Sequence, residues 1–256
     1  MFDPPMQAGS LHYVTNKAME ISYRRSLPHW YVPGAAHFVT YRVAGTLPLA
    51  AIKSLREKRE RLLAEKTGKP LAKHRLDVHR VLFAAYEKYL DTASDIDWLC
   101  HPRVASMLRQ NLYHHDGVKY VLHAYCIMPN HVHLLLTPSP ELATQWGKID
   151  SPMPIGESTD KRSPLAAIMH SLKSYTANRA NKILQREGEF WQPESYDHWV
   201  RDDDELERIV NYIHANPVAA GLVDRHEDWH WCSCHDRYLL DGDRSGWLCM
   251  AQAASL

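Results

Sequence analysis

Tyr125-Cys126-Ile127-Met128-Pro129-Asn130-His131-Val132-His133-Leu134-Leu135-Leu136 sets two imidazoles inside a run that is otherwise largely apolar. Val132 and Leu134, Leu135 and Leu136 have the character of a buried strand. Successive side chains of a strand point to opposite faces, so His131 and His133 emerge side by side from one face. Two imidazoles on a buried face are costly unless something pairs with them. Two readings stand: core histidines bonded to backbone carbonyls, or half of a metal site with Val132 anchoring the opposite face. The second needs a further ligand and a reacting group from elsewhere in the chain.

The 256 residues are enough for one large domain or two small ones. Hydrophobic residues at 45% and charged residues at 23% are ordinary for a globular protein. No apolar run approaches the roughly 20 residues of a membrane span. Met1-Phe2-Asp3-Pro4-Pro5 lacks the basic and apolar regions of a secretory signal. Five cysteines without a Cys-x-x-Cys pair argue against a disulfide framework or zinc ribbon, so a cytoplasmic location is expected. Lys+Arg and Asp+Glu both total 30, so the distribution of charge matters more than its sum.

Residues 1–22 read as a leader. Tyr23 to Trp30 mixes Arg24 and Arg25 with aromatics, which suits either phosphate contact and base stacking or an arm tucked onto the surface. Ala36 to Val43 alternates as a first strand. The chain then turns helical from about 48 to 112, with helices expected over Ala50–Glu65, Leu76–Leu90 and Pro102–Leu112. Tyr120 to Tyr125 is a second strand leading into the histidine stretch. Thr144 to Asp160, rich in Gly, Pro and Ser, reads as a loop.

Ser163-Pro164 starts a helix and Gly188 stops it. That helix carries an apolar side and, on another side, Tyr175, Arg179, Lys182 and Arg186 at spacings of three and four. Four basic residues and no acid between Ser171 and Arg186, beside a metal-bearing sheet, suit nucleic acid. After the aromatic segment Phe190–Arg201 comes a last helix, capped by acids and stopping at Asn216-Pro217. Its core face is Leu206, Ile209, Val210 and Ile213. Trp229, Trp231 and Trp247 are expected to clamp the tail to the body.

Tyr212 lies roughly 110° from the centre of that apolar face. Asn216 is one turn further on, so the two project on the same side. Taken alone, these are a boundary tyrosine and a helix-ending asparagine. With His131 and His133 they gain another meaning. Two imidazoles and an amide oxygen can hold a divalent cation with open positions. A tyrosine on the same helix can then attack a polarised phosphorus.

Met128-Pro129-Asn130-His131-Val132-His133-Leu134, Ser171-Leu172-Lys173-Ser174, Phe190-Trp191-Gln192, Tyr196 to Asp202, and Tyr212-Ile213-His214-Ala215-Asn216-Pro217-Val218 occur in that order. In this the chain resembles the REP-associated tyrosine transposases, single-tyrosine members of the HUH (His-hydrophobic-His) group. The resemblance spans roughly Tyr23 to Trp231, which becomes the expected HUH domain, with 48–112 as a helical insertion and 232–256 as a tail. It implies an α+β fold, a ferredoxin-like antiparallel sheet backed by helices. It also implies cleavage of single-stranded DNA at palindromic REP hairpins with Mg²⁺ or Mn²⁺. Carried over, His131, His133 and Asn216 are metal ligands and Tyr212 is the nucleophile that forms a covalent 5′-phosphotyrosine. Candidate DNA contacts are Arg24, Arg25, Lys173, Arg179, Lys182, Trp191, Gln192 and Arg201. The chain departs from the family in its longer helical insertion and in Trp199, where a small aliphatic residue is usual. Alternatives are a domesticated protein that binds hairpins without cutting them and a hydrolytic metallophosphoesterase. No membrane partner is expected, and monomer or homodimer stays open.

Overall fold

The computed structural model describes residues 31–46, 49–65, 96–147, 163–193 and 195–235, with single positions and short groups between 68 and 89. Four strands form one antiparallel sheet: β1 (His37–Arg42), β2 (Tyr120–Ile127), β3 (His131–Pro138) and β4 (Tyr196–Trp199). Their spatial order is β2-β3-β1-β4. The helices are α1 (Leu49–Ala64), α2 (Pro102–His115), α3 (Pro140–Gly147), α4 (Pro164–Ile183) and α5 (Asp203–Ala219). The described positions from 74 to 89 are also helical.

β1 is antiparallel to β3 and to β4, and β2 is antiparallel to β3. β1 and β2 therefore run parallel with β3 between them, and β3 and β4 run parallel with β1 between them. Each such pair requires a crossover, supplied by α2 in the first case and α4 in the second. This is the ferredoxin-like α+β arrangement. Because helices cover both faces of the sheet, every residue of β1 is buried and only Thr137 of β3 is partly exposed.

The two faces carry different cores. Val39, Tyr41, Val132, Leu134 and Leu136 pack with Leu108 and Leu112 of α2 and with Ile168 and Leu172 of α4. Phe38, Leu135, Ala124 and Cys126 pack instead with Leu55 of α1, Tyr86, and Leu206, Val210 and Ile213 of α5. A register irregularity between Leu122 and Ala124 reverses the alternation of β2. Leu122 faces α2 and α4, while Ala124 and Cys126 two and four residues on face α5.

Local chemistry explains the helix starts. Ser163 Oγ accepts the Ala166 N–H at 3.1 Å, and Asp202 Oδ1 accepts the Glu205 N–H at 2.7 Å. The expected loop from Thr144 is corrected at its beginning: Ser139 Oγ accepts the Leu142 N–H, and α3 runs on to Gly147. α4 ends at Ile183, before Gly188. Gln185 takes a left-handed φ of 52°, while Arg186 turns back to donate to Asn181 Oδ1 and to stack 3.7 Å over Trp98. α5 does not stop before Pro217 but continues to Ala219. A proline in the last turn removes only one helical N–H, and the Ala220 N–H still reaches the Asn216 carbonyl.

Two further placements differ from expectation. The basic helix α4 lies against the face opposite His131 and His133. Packing also extends past Trp231, since Cys232, Ser233 and Cys234 are buried and the backbone of Cys232 pairs antiparallel with that of Cys126, both thiols staying free. The expected leader, the Tyr23–Trp30 arm with Arg24 and Arg25, most of the 144–160 loop and Trp247 lie outside the described residues. None of the described helices is long and apolar enough to cross a membrane.

Candidate active site

β3 delivers His131 and His133 to the α5 face, as alternation requires. Their Nε2 atoms lie 3.0 Å apart. Each ring is held from behind: His131 Nδ1 meets Asn130 Oδ1 at 2.7 Å, and His133 Nδ1 meets Thr40 Oγ1 at 2.9 Å. Thr40 is the β1 residue directly opposite His133, and Arg42 is the one opposite His131. Phe38, two residues before Thr40, stacks on His133 with ring centroids 5.6 Å apart.

Both imidazoles are buried, His131 at 2% exposure and His133 at 0%. Burial holds His131 well below the ordinary histidine value, at about 3, and the nearby Arg42 guanidinium pushes in the same direction. Burial, and then His131 itself, depress His133 as well. Both rings are thus neutral at neutral pH, the state in which an imidazole nitrogen can ligate a metal.

α5 crosses over this face through Ile213, Val210 and Leu206. Tyr212 is half-buried, with its ring edge-on to His133 at 5.5 Å and to Phe38 at 5.9 Å. Asn216, one turn on, is buried, and its Oδ1 has no hydrogen-bond partner among the described residues. A buried carbonyl oxygen without a donor is rare, and a cation or a ligand proton would satisfy it. Among the described residues no third His, Cys, Asp or Glu joins the histidine pair to make a metal cluster. An amide oxygen is a hard ligand of the type Mg²⁺ and Mn²⁺ accept. In donor type, two imidazoles and an amide oxygen suit such an ion.

The helical positions between 74 and 89 border the same face. Phe83 stacks on Tyr196 at 4.3 Å and stands edge-on to Tyr212 at 6.2 Å, and Tyr86 lies under Arg42 at 5.5 Å.

The expected DNA contacts divide. Trp191 is a core residue, its indole N–H donated to Thr176 Oγ1 at 2.9 Å and its ring packed on Tyr41. Lys173 Nζ donates to the Gln192 and Pro193 carbonyls at 2.6 and 2.9 Å, and the Gln192 N–H donates to the Arg42 carbonyl. Arg201 is engaged by Glu205, with Nη2 to Oε1 at 2.6 Å. Arg179 and Lys182 are exposed, and Tyr175 beside them is 49% exposed. Tyr175 and Tyr212 are thus on opposite sides of the sheet. Thr40, Asn130 and Phe38 escaped the sequence reading, although Thr40 and Arg42 carried a signal. They are polar positions alternating with Val39, Tyr41 and Val43 on an otherwise apolar strand.

No family model matches the chain. Over 112 residues it is 30% identical to a Haemophilus influenzae protein named "Putative REP-associated tyrosine transposase". That match covers 44% of this chain and 57% of the relative, little more than half of the relative's length. A solved structure described as a REP-associated tyrosine transposase bound to a REP hairpin aligns over 84% of each chain, with a TM-score of 0.46 and 16% identity. That likeness is too distant to bear on the site.

Proposed function

We propose that the chain is a metal-dependent, single-stranded DNA endonuclease and strand transferase acting at palindromic, REP-like hairpins through a 5′-phosphotyrosine on Tyr212. One observation carries this reading: two buried imidazoles converge to 3.0 Å on the sheet face that also receives Tyr212. The ordered motifs and the name of the Haemophilus relative support the same activity.

His131, His133 and Asn216 would hold Mg²⁺ or Mn²⁺. A bound divalent cation would supply positive charge to polarise the scissile phosphate and offset charge on its non-bridging oxygens. The rest is done by the chain. Phe38 and Phe83 set the Tyr212 ring edge-on and limit its rotation, so the hydroxyl oxygen is held for attack. That oxygen bonds to phosphorus while the bond from phosphorus to the 3′ oxygen breaks. The tyrosine proton is lost as the leaving 3′ oxygen gains one, leaving a free 3′-hydroxyl and a 5′-phosphotyrosine. Attack by another 3′-hydroxyl reverses the step and joins new strands.

Arg179 and Lys182 lie on the far side of the sheet, so their part is backbone binding outside the reaction centre. Incubating end-labelled hairpin DNA with the protein and Mn²⁺, then separating on a denaturing gel, tests the reading. Wild type and Tyr175→Phe should give a slow-migrating DNA–protein adduct, and Tyr212→Phe should bind but give none. An undiminished adduct with Tyr212→Phe would overturn the assignment. Hairpin binding without any adduct from wild type would favour a binding protein that does not cut.

A further inference from the structure

Three residues of β1 point to the same face as the histidine pair: Phe38, Thr40 and Arg42. Each lies opposite a residue of β3, Phe38 facing Leu135, Thr40 facing His133 and Arg42 facing His131. The face is thus ruled into rows that run across the strands, consecutive rows being about 7 Å apart along each strand. Tyr212 sits on the first two rows, its ring 5.9 Å from Phe38 and 5.5 Å from His133. Arg42 stands in the third. Tyr212 therefore flanks the histidine pair at its His133 end, and Arg42 flanks it at its His131 end.

Arg42 is 2% exposed, and its guanidinium lies 5.5 Å from the centre of the Tyr86 ring. The face of a phenol ring attracts a cation, so Tyr86 helps to hold the guanidinium over the sheet. Arginine stays charged at every pH at which a protein folds, and a buried charge is screened less than one in water. Its planar fork carries five N–H donors, enough to hold a group of the protein and an oxygen of a phosphodiester together. The cations expected from the sequence stand elsewhere: Lys173, Arg179 and Lys182 belong to α4 behind the sheet, and Arg201 is engaged by Glu205.

Displacement at phosphorus runs in line, with the attacking and leaving oxygens on opposite sides of the phosphorus. With Tyr212 attacking from the His133 end, the 3′ oxygen leaves towards the His131 end, where Arg42 stands. We infer that Arg42 is a further catalytic residue, a hydrogen-bond donor to the leaving 3′ oxygen of the scissile phosphodiester. The inference rests on the reading above, with Tyr212 as the nucleophile. As the Tyr212 oxygen bonds to phosphorus and the bond to the 3′ oxygen breaks, negative charge grows on that leaving oxygen. Arg42 offsets the charge and keeps its own protons, and the proton that completes the 3′-hydroxyl comes from water. In the joining step the same guanidinium holds the incoming 3′ oxygen in line.

The test compares two hairpin DNAs, one with an ordinary scissile phosphodiester and one with sulfur in place of its 3′ bridging oxygen. A thiolate leaves without a donor, whereas an alkoxide needs one. Single-turnover adduct formation with Mn²⁺ is followed for wild type, Arg42→Gln and Arg42→Lys, beside melting curves. On ordinary DNA, Arg42→Gln should be slowed roughly a hundred- to thousandfold. Arg42→Lys should lose less, since an ammonium keeps the charge without the fork. On the sulfur-bridged hairpin both variants should come close to the wild-type rate. An equal loss on the two DNAs, which a merely structural role would give, would overturn the inference. So would a wild-type rate for Arg42→Gln on ordinary DNA. If Arg42→Gln does not fold, Arg42→Lys carries the same comparison, and loss of the fold in both would overturn the inference as well. An adduct abolished by Tyr212→Phe but undiminished in Arg42→Gln sinks the Arg42 role alone, whereas no adduct from wild type sinks the nucleophile reading and this inference with it.

Discussion

Alternate residues of β3 live in different chemical worlds. Val132, Leu134 and Leu136 meet α2 and α4 in an apolar layer. His133 meets Tyr212 of α5, and Leu135, next in the same row, packs with Leu206, Val210 and Ile213 of that helix. The backbone is shared, and so is the degree of burial. What differs is that one face of β3 contributes only apolar side chains, while the other buries imidazole nitrogens that demand partners. A one-residue slip of β3 would exchange the two sets, so packing on the α2–α4 face is what keeps the histidines in register. Rigidity on one side thereby positions chemistry on the other.

The sharpest way to separate the faces is to remove one function at a time. His131→Ala or His133→Ala should lower Mn²⁺-dependent adduct formation by roughly a hundred- to thousandfold, through loss of electrostatic stabilisation of the reacting phosphate. Their circular dichroism spectra should stay near wild type. Either variant cutting at the wild-type rate would remove the pair from the site.

Leu134→Ala, one residue from His133 but on the packed face, should do the reverse. It should cost about 2–5 kcal/mol of unfolding free energy, because it opens a cavity beneath α2 and α4. At a temperature where the variant is still folded, its adduct should form normally. Urea denaturation beside the gel assay checks both halves.

Acid should act on both faces, since each buries neutral histidines. Burial holds His37, facing Asp197, and His214, bonded to Ser233 Oγ, at about 4. A histidine whose pKa is lowered by folding takes up protons more readily when unfolded. Its contribution is therefore complete above about pH 6.5 and is lost as pH falls towards about 4. For His214 the loss is on the order of 3 kcal/mol. Denaturation free energies at pH 7 and 4.5 should fall less steeply in His214→Gln than in wild type, and parallel curves would refute this.

The smallest effects distinguish two kinds of cation on α4. Lys173→Ala should destabilise by about 1–2 kcal/mol, because it frees two loop carbonyls from a charged donor. Arg179→Ala and Lys182→Ala should leave stability unchanged. Each should reduce the slope of log K against log[salt] for hairpin binding by about 1. Unchanged slopes would take that surface out of the DNA interface.

Much of this was legible without coordinates, wherever the physics is local. Strand alternation is enough to put His131 and His133 on one face, and helix periodicity is enough to align Tyr212 with Asn216. Caps at Ser163 and Asp202 mark helix starts by the donors they satisfy. Tertiary structure decided everything that depends on which surfaces meet. It put α4 behind the sheet rather than beside the histidines, turned Trp191 and Lys173 inward, and carried α5 past Pro217 because a last turn tolerates one missing N–H. It also chose the irregularity in β2 that brings Cys126 onto the histidine face, and paired Thr40 with His133 across 93 residues of chain. Periodicity reports the direction of a side chain relative to its own backbone. The identity of the group it meets is set by a distant segment, and no local pattern encodes that.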